Sequence, residues 1–516
     1  MARATALLLA LASMLAAVAP SFAAEESALQ FPAQDGAIVE HLPTHVGDAA
    51  ERRAAIAAER AQRAQLQEHP NELALALKAA NDALARGRLR GDPRELGVAQ
   101  AALAPWWTRA DAPPEVRLVR ATTLQSQHFF HEALAELDAV LATPGVALPV
   151  RAQAELTRAG VQQVLGHFAE ADAGCHRLAG PDYLALGSGV RLDALACIAE
   201  LSSLQGHADA AAATLARLAG APDASSAATV AGAPAPGWLN LMRAELAQRR
   251  GDPAAGALFA AALKANADVY TQCAYADWLL DRHRPAEVVA LLQGNEAADP
   301  VLLRVALAYK QMHGRNHPLT RDATTTLGER YDAALLRGDR SHGREQSRYE
   351  LELRGDLRSA LGYARANWVV QHEPADAVVL ARAAHAAHRD DAADPLWQFL
   401  RETGGRDVRL AVGGAAAAPF LPMAFGSAAP APPSPLAAML AARRATSAAS
   451  AATQATATQA TATQATTKQA TATQSTATQA TATQSTATQA TATQATAAQA
   501  AETQSTAAQA TARSEP

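Results

Sequence analysis

Few residues in this chain have the type and spacing that chemistry needs. His128 and His131 stand three apart, as do His385 and His388, with Asp391 a further turn on. Histidines at i and i+3 share a helix face, and a third such group would make a metal site. The simpler reading is a solvated helix face or a turn residue, and we prefer it. Nothing matches the two-histidine helix with an intervening glutamate found in zinc proteases: Glu132 adjoins His131, but at the wrong spacing. No Gly-rich phosphate loop, nucleophile elbow or Cys-x-x-Cys pair occurs. The three cysteines, Cys175, Cys197 and Cys273, are too few for a disulfide scaffold. No catalytic residue, metal ligand or cofactor is assigned, and no enzymatic activity is expected.

The elements that position such residues should be helices. Aromatic residues make up 4% of 516, too few for a large sandwich or barrel core. Alanine is abundant; it is the best helix former and lets helices approach closely. Basic and acidic residues nearly balance, 45 against 50, which removes the electrostatic case for a nucleic-acid partner. The expected class is all-α.

Residues 1–23 read as a secretory signal. Arg3 gives a positive start, Ala4 to Ala19 is apolar, Pro20 breaks the run, and Ser21-Phe22-Ala23 fits a small-x-small cleavage site. Cleavage one residue later and an uncleaved anchor are the alternatives; the apolar run is short for a span of about 20 residues. The mature chain is expected to be periplasmic or secreted, with no transmembrane span.

A short turn recurs between apolar helical runs. It reads Gly91-Asp92-Pro93, Gly166-His167-Phe168, Gly206-His207-Ala208, Gly251-Asp252-Pro253 and Gly355-Asp356-Leu357. Weaker forms stand at His128-Phe129, His283-Arg284, Gly314-Arg315 and Arg389-Asp390. Intervals run from 31 to 45 residues, about 37 on average, the range of helical arrays. Seven residues before successive turns stand Ala121, Ala159, Ala199, Ala244 and Ala276. Five residues after them stand Ala133, Ala171, Ala211, Gly256 and, at the last clear match, Ala360. Small side chains at both places let two antiparallel helices touch. Leu137 and Val140, Cys175 and Leu178, and Leu215 and Leu218 follow at helical spacing.

This pattern resembles tetratricopeptide repeats, best at Leu124 to Leu134, then at Leu165 to Ala171 and Leu204 to Ala211. It covers residues 70–403, about eight or nine units. It departs from the family in its longer spacings and in mostly lacking the family's Trp and Tyr positions. The resemblance implies a right-handed α-solenoid with a concave face lined by the first helix of each unit. Six residues before the turns, that face holds Thr122, Gly160, Glu200, Glu245 and Asp277; Gln125, Gln163 and Gln248 stand three residues on from the first, second and fourth. The three acidic residues suggest a basic ligand. Cys175 and Cys197 fall on neighbouring helices of adjacent units, where a disulfide can close.

Residues 24–69 form an arm and a capping helix over Asp48 to Gln67. The Gly- and Pro-rich stretch 219–237 reads as a loop between repeats. Residues 404–446 read as an Ala/Pro-rich linker, and 447–516 as a disordered tail of Thr-Ala-Thr-Gln-Ala units, whose period of five builds no apolar face. The expected function is an exported scaffold that binds a protein or peptide of unknown identity. A metal-binding protein or enzyme built on the His pairs and a cell-envelope assembly component are the alternatives.

Overall fold

A computed structural model of the chain describes residues 49–221, 235–339 and 342–411, all within the compact unit spanning residues 45–516. The expectations for the signal, the arm up to residue 48, most of the linker and the tail lie outside the described residues. Among those described, every regular element is helical and none is a strand. No described helix is long and apolar enough to cross a membrane.

The helices are α1 (Ala49–Glu68), α2 (Leu73–Arg90), α3 (Arg94–Ala102), the one-turn α4 (Ala104–Trp107), α5 (Pro114–Ser126), α6 (Phe130–Ala142), α7 (Leu148–Val164), α8 (Phe168–Leu178), α9 (Ser188–Leu204) and α10 (Ala208–Ala219). They continue as α11 (Ala235–Arg250), α12 (Ala255–Ala265), α13 (Val269–Leu280), α14 (Pro285–Leu292), α15 (Asp299–His313) and α16 (Pro318–Leu336). The last are α17 (Gly343–Arg348), which runs on as a π-helical turn over Tyr349–Arg354, then α18 (Leu357–Val370), α19 (Pro374–Ala386) and α20 (Asp394–Thr403). From α5 onward they pack as successive hairpins, α5 on α6, α7 on α8 and so on, each also touching the next. Helix α1 packs on α2 in the place expected of a cap.

One backbone device recurs in most of the hairpin turns. The N–H three or four residues past the end of the first helix donates to the carbonyl five residues back: Phe129 to Leu124 (2.9 Å), His167 to Gln162 (2.9 Å), His207 to Ser202 (3.0 Å), Arg284 to Leu279 (3.0 Å) and Arg389 to Ala384 (2.9 Å). This six-to-one bond needs a left-handed residue just before the donor. Gly166 and Gly206 fill that place with φ of 78° and 87°, and His128, His283 and His388 with φ of 62°, 53° and 53°. The sequence reading placed the last turn at Arg389-Asp390; its left-handed residue is His388, one position earlier.

The alanines lie where the hairpins close. Ala121, Ala159, Ala199, Ala244 and Ala276 are all buried, as are Ala133, Ala171, Ala211 and Ala360. Gly256, in the corresponding place of its hairpin, faces Trp278, and an added Cβ would stand 2.5 Å from that ring. Leu137, Val140, Cys175, Leu178 and Leu215 are sealed beneath them, with Leu218 half-buried.

Two boundaries differ from expectation. Helix α11 already begins at Ala235, inside the stretch read as loop, because Pro236 falls in its first turn, where a missing N–H costs nothing. Residues 404–411 are packed rather than linker-like. Asp407 accepts from the Arg409 N–H (2.9 Å), closing a short 3₁₀ turn that buries Leu410.

Late elements also dock on early turns. The His372 N–H donates to the Val164 carbonyl (2.7 Å). The Phe399 ring meets Phe168 edge-on at 5.7 Å and lies against Gly166. The backbone of Gly404 rests on Gly206, and Gly91 lies against Val269 and Ala298. These contacts tie together parts of the chain some 200 residues apart.

Candidate functional site

The first helices of the hairpins bring their polar residues into one field. Glu373, just before α19, is felt electrostatically by Glu200 on α9, Glu245 on α11 and Tyr270 on α13. His128, at the end of α5, feels Arg344, Glu345 and Glu373. The charge of Glu245, and then burial, raise the Tyr270 hydroxyl, while 55% of that residue's surface stays open.

Most of its charges are locked in pairs. Asp277 on α13 takes a two-pronged bond from Arg304 on α15 (3.1 and 2.7 Å) and another from Arg348 on α17 (2.8 Å). Burial acts to raise the Asp277 carboxyl, but the two guanidiniums outweigh it and hold it well below the carboxylate range. Arg344 pairs with Glu373 at 3.0 Å and with Asp376 at 3.2 Å. Two carboxyls differ, for Glu200 and Glu245 make no ion pair among the described residues. Glu200 accepts from Gln163 on α7, and burial raises its pKa. Glu245 accepts from the Tyr270 hydroxyl at 3.0 Å. Burial, then the charge of Glu200, pushes Glu245 up to about 7. Arg249, itself buried, lies within their field but donates to Ser203 Oγ (2.8 Å). Carboxyls so placed are poised to receive a cationic side chain, with an open tyrosine ring alongside.

The residues read from the sequence separate accordingly. Glu200, Glu245 and Gln163 meet on this wall. Nothing lies within 4 Å of where a Cβ on Gly160 would stand, as suits a position facing a groove. Asp277 is on the wall but bound by two arginines, so the three acidic residues do not act alike. Thr122 turns its hydroxyl back to the Leu118 carbonyl (3.0 Å), and Gln125 is half-buried. Gln248 is buried beside the Gly251 turn. Cys175 and Cys197 are joined by a disulfide, with Cα atoms 6.0 Å apart, while Cys273 is free and buried, its thiol pushed up to about 12 by burial.

The histidine pairs do not assemble. His128 and His388 serve as turn residues, and the His128 ring stacks on Phe130 at 5.3 Å. Asp391 is held by Arg389 at 2.9 Å. Among the described residues no three His, Cys, Asp or Glu are grouped as metal ligands.

Arg304, Glu345 and Arg348 escaped the sequence reading. A signal was present: Arg304 and Glu345 stand ten residues before Gly314 and Gly355, one helical turn up the same stripe as Glu200 and Glu245. Arg344 and Glu373 carried no such signal, since their place depends on how far hairpins approach one another. Compared with known proteins, the chain matches no family model and no curated protein.

Proposed function

We propose that this chain is an exported, non-enzymatic α-solenoid of the tetratricopeptide type, and that the concave wall formed by its first helices binds a basic segment of a protein or peptide. The observation that carries this reading is the pair Glu200 and Glu245. They occupy the same repeat position in adjacent hairpins and make no ion pair among the described residues, and Glu245 lies beside an open Tyr270 ring. A lysine or arginine entering there gains charge-assisted bonds and relieves two carboxyls of mutual repulsion. The left-handed turns and paired small residues support the repeat assignment. The Cys175–Cys197 disulfide supports residence in an oxidising compartment.

Fluorescence anisotropy with a labelled Lys/Arg-rich peptide tests this. The Glu200→Gln/Glu245→Gln variant is expected to bind about tenfold more weakly or worse, as loss of charge-assisted bonds requires. Unchanged affinity, with the fold intact by circular dichroism, would overturn the assignment. Binding should also fall as pH drops below about 7, where Glu245 takes up its proton.

A further inference from the structure

We propose that a recess at the turn between α11 and α12 is a binding site for a carboxylate group. It has a volume of about 440 Å³ and is lined by Gln248, Gly251, Asp281, Arg282, Arg382 and Arg409. It adjoins the Glu200–Glu245 wall, for Arg409 feels the charge of Glu245, but it does not rest on the function proposed above.

Two observations point to an anionic ligand, and a third limits the charge it can carry. Gln248 is 7% exposed, and its Nε2 finds no hydrogen-bond partner. A buried amide left this way costs about 1–3 kcal/mol, so such groups are rare unless something answers them. Next, three guanidiniums meet there. Arg382 pairs with Asp281 at 3.1 Å, and Arg409 takes both oxygens of Asp407 at 3.0 and 2.5 Å. Arg282 makes no ion pair among the described residues and lies over the Trp278 ring at 4.2 Å. Counting the lining residues and their ion-pair partners, three guanidiniums against two carboxylates leave a surplus of one positive charge. Last, α11 and α13 end at this recess, with Gly251 and Asp281 just past their final residues. Helix C-termini carry partial negative charge, which disfavours a charge-dense dianion.

A single carboxylate satisfies all three. One oxygen can accept from Gln248 Nε2, and the other can take the planar fork of Arg282. The group would belong to a small acid or to the end of a peptide chain.

The test is a ligand-observed NMR titration of the full chain with N-acetylglycine, with N-acetylglycinamide and inorganic phosphate as comparison probes. N-acetylglycine should bind and the amide should not. Gln248→Met keeps the volume and removes the donor; Arg282→Gln removes the unpaired charge from an exposed side chain. Each should weaken binding by about tenfold. Equal binding of the amide, tighter binding of phosphate, no binding by about 50 mM, or indifference to both substitutions would overturn the proposal. If Gln248→Met lowers the melting temperature, Arg282→Gln decides alone. With the site upheld, a free-acid peptide that outbinds N-acetylglycine would identify a chain end as the source, and equal affinities a small acid.

Discussion

Glu245 shows how one position would answer to both stability and the proposed function. Enclosure and the neighbouring Glu200 raise its pKa from an ordinary 4.5 to about 7, so ionising it is unfavourable to the fold. Because the folded state holds this proton more tightly than the unfolded chain, the carboxyl costs nothing below pH 4.5. Its cost grows as pH rises, and is complete above about 7. Glu245→Gln keeps an acceptor for Tyr270 and abolishes the charge. It should leave stability unchanged near pH 4.5 and raise it by about 1–3 kcal/mol at pH 8, after allowing for solvent at the wall. Denaturant midpoints at the two pH values check this, and a gain of equal size at both would mean that charge is not the cause. The same substitution is expected to weaken the basic peptide. A residue that destabilises its own fold while improving a binding surface is the usual signature of a site.

At the scale of the element, the hairpin was legible because its demands are local. A left-handed turn residue and two small contacts at fixed offsets can be read from spacing, and the alanines seven before the turn are buried in each of the five hairpins where they were read. His128, His283 and His388 stand in the sequence as members of histidine pairs or weak turns; their backbone angles show that they replace glycine. Left-handed backbone costs a side chain about 1–2 kcal/mol. His283→Gly should therefore stabilise by roughly 0.5–1 kcal/mol, the difference being offset by a freer unfolded chain. Gly206→Ala should destabilise by more than that gain, because its Cβ would stand 2.8 Å from the Gly404 carbonyl as well as meeting the angular penalty. In the helices, Ala159→Leu and Ala199→Leu should each cost about 1–3 kcal/mol by overpacking. Ala212→Leu, at a half-buried position beside the sealed Ala211, should cost less. Chemical denaturation of the set reads all of these. If Ala212→Leu is as harmful as the others, the small-residue register does not govern the hairpins.

At the scale of the whole molecule, sequence periodicity reaches its limit. A repeat whose contacts were all with its neighbours would follow from local signals, and most contacts here are of that kind. What spacing could not reveal is that residues 372–410 return to the turns at Gly166, Gly206 and Gly251, since nothing in a hairpin's own pattern specifies a partner some 200 residues away. That return brings Glu373 into the field of Glu200 and Tyr270, and Arg382 and Arg409 beside Gln248. Both candidate sites therefore depend on it. Phe399 is the most informative place to break the contact, because its ring touches Phe168, Trp368 and His372 and lies against Gly166. Phe399→Ala should cost about 2–4 kcal/mol, on the low side for a phenylalanine because the residue is half-buried. Hydrogen exchange should rise in two separated stretches, the α7–α8 turn around Val164 to Phe168 and the segment from Trp368 through Gly404. An array held by neighbours alone would loosen near residue 399 and leave the α7–α8 turn protected. Exchange confined to the C-terminal stretch would thus show that the return contact contributes nothing to stability.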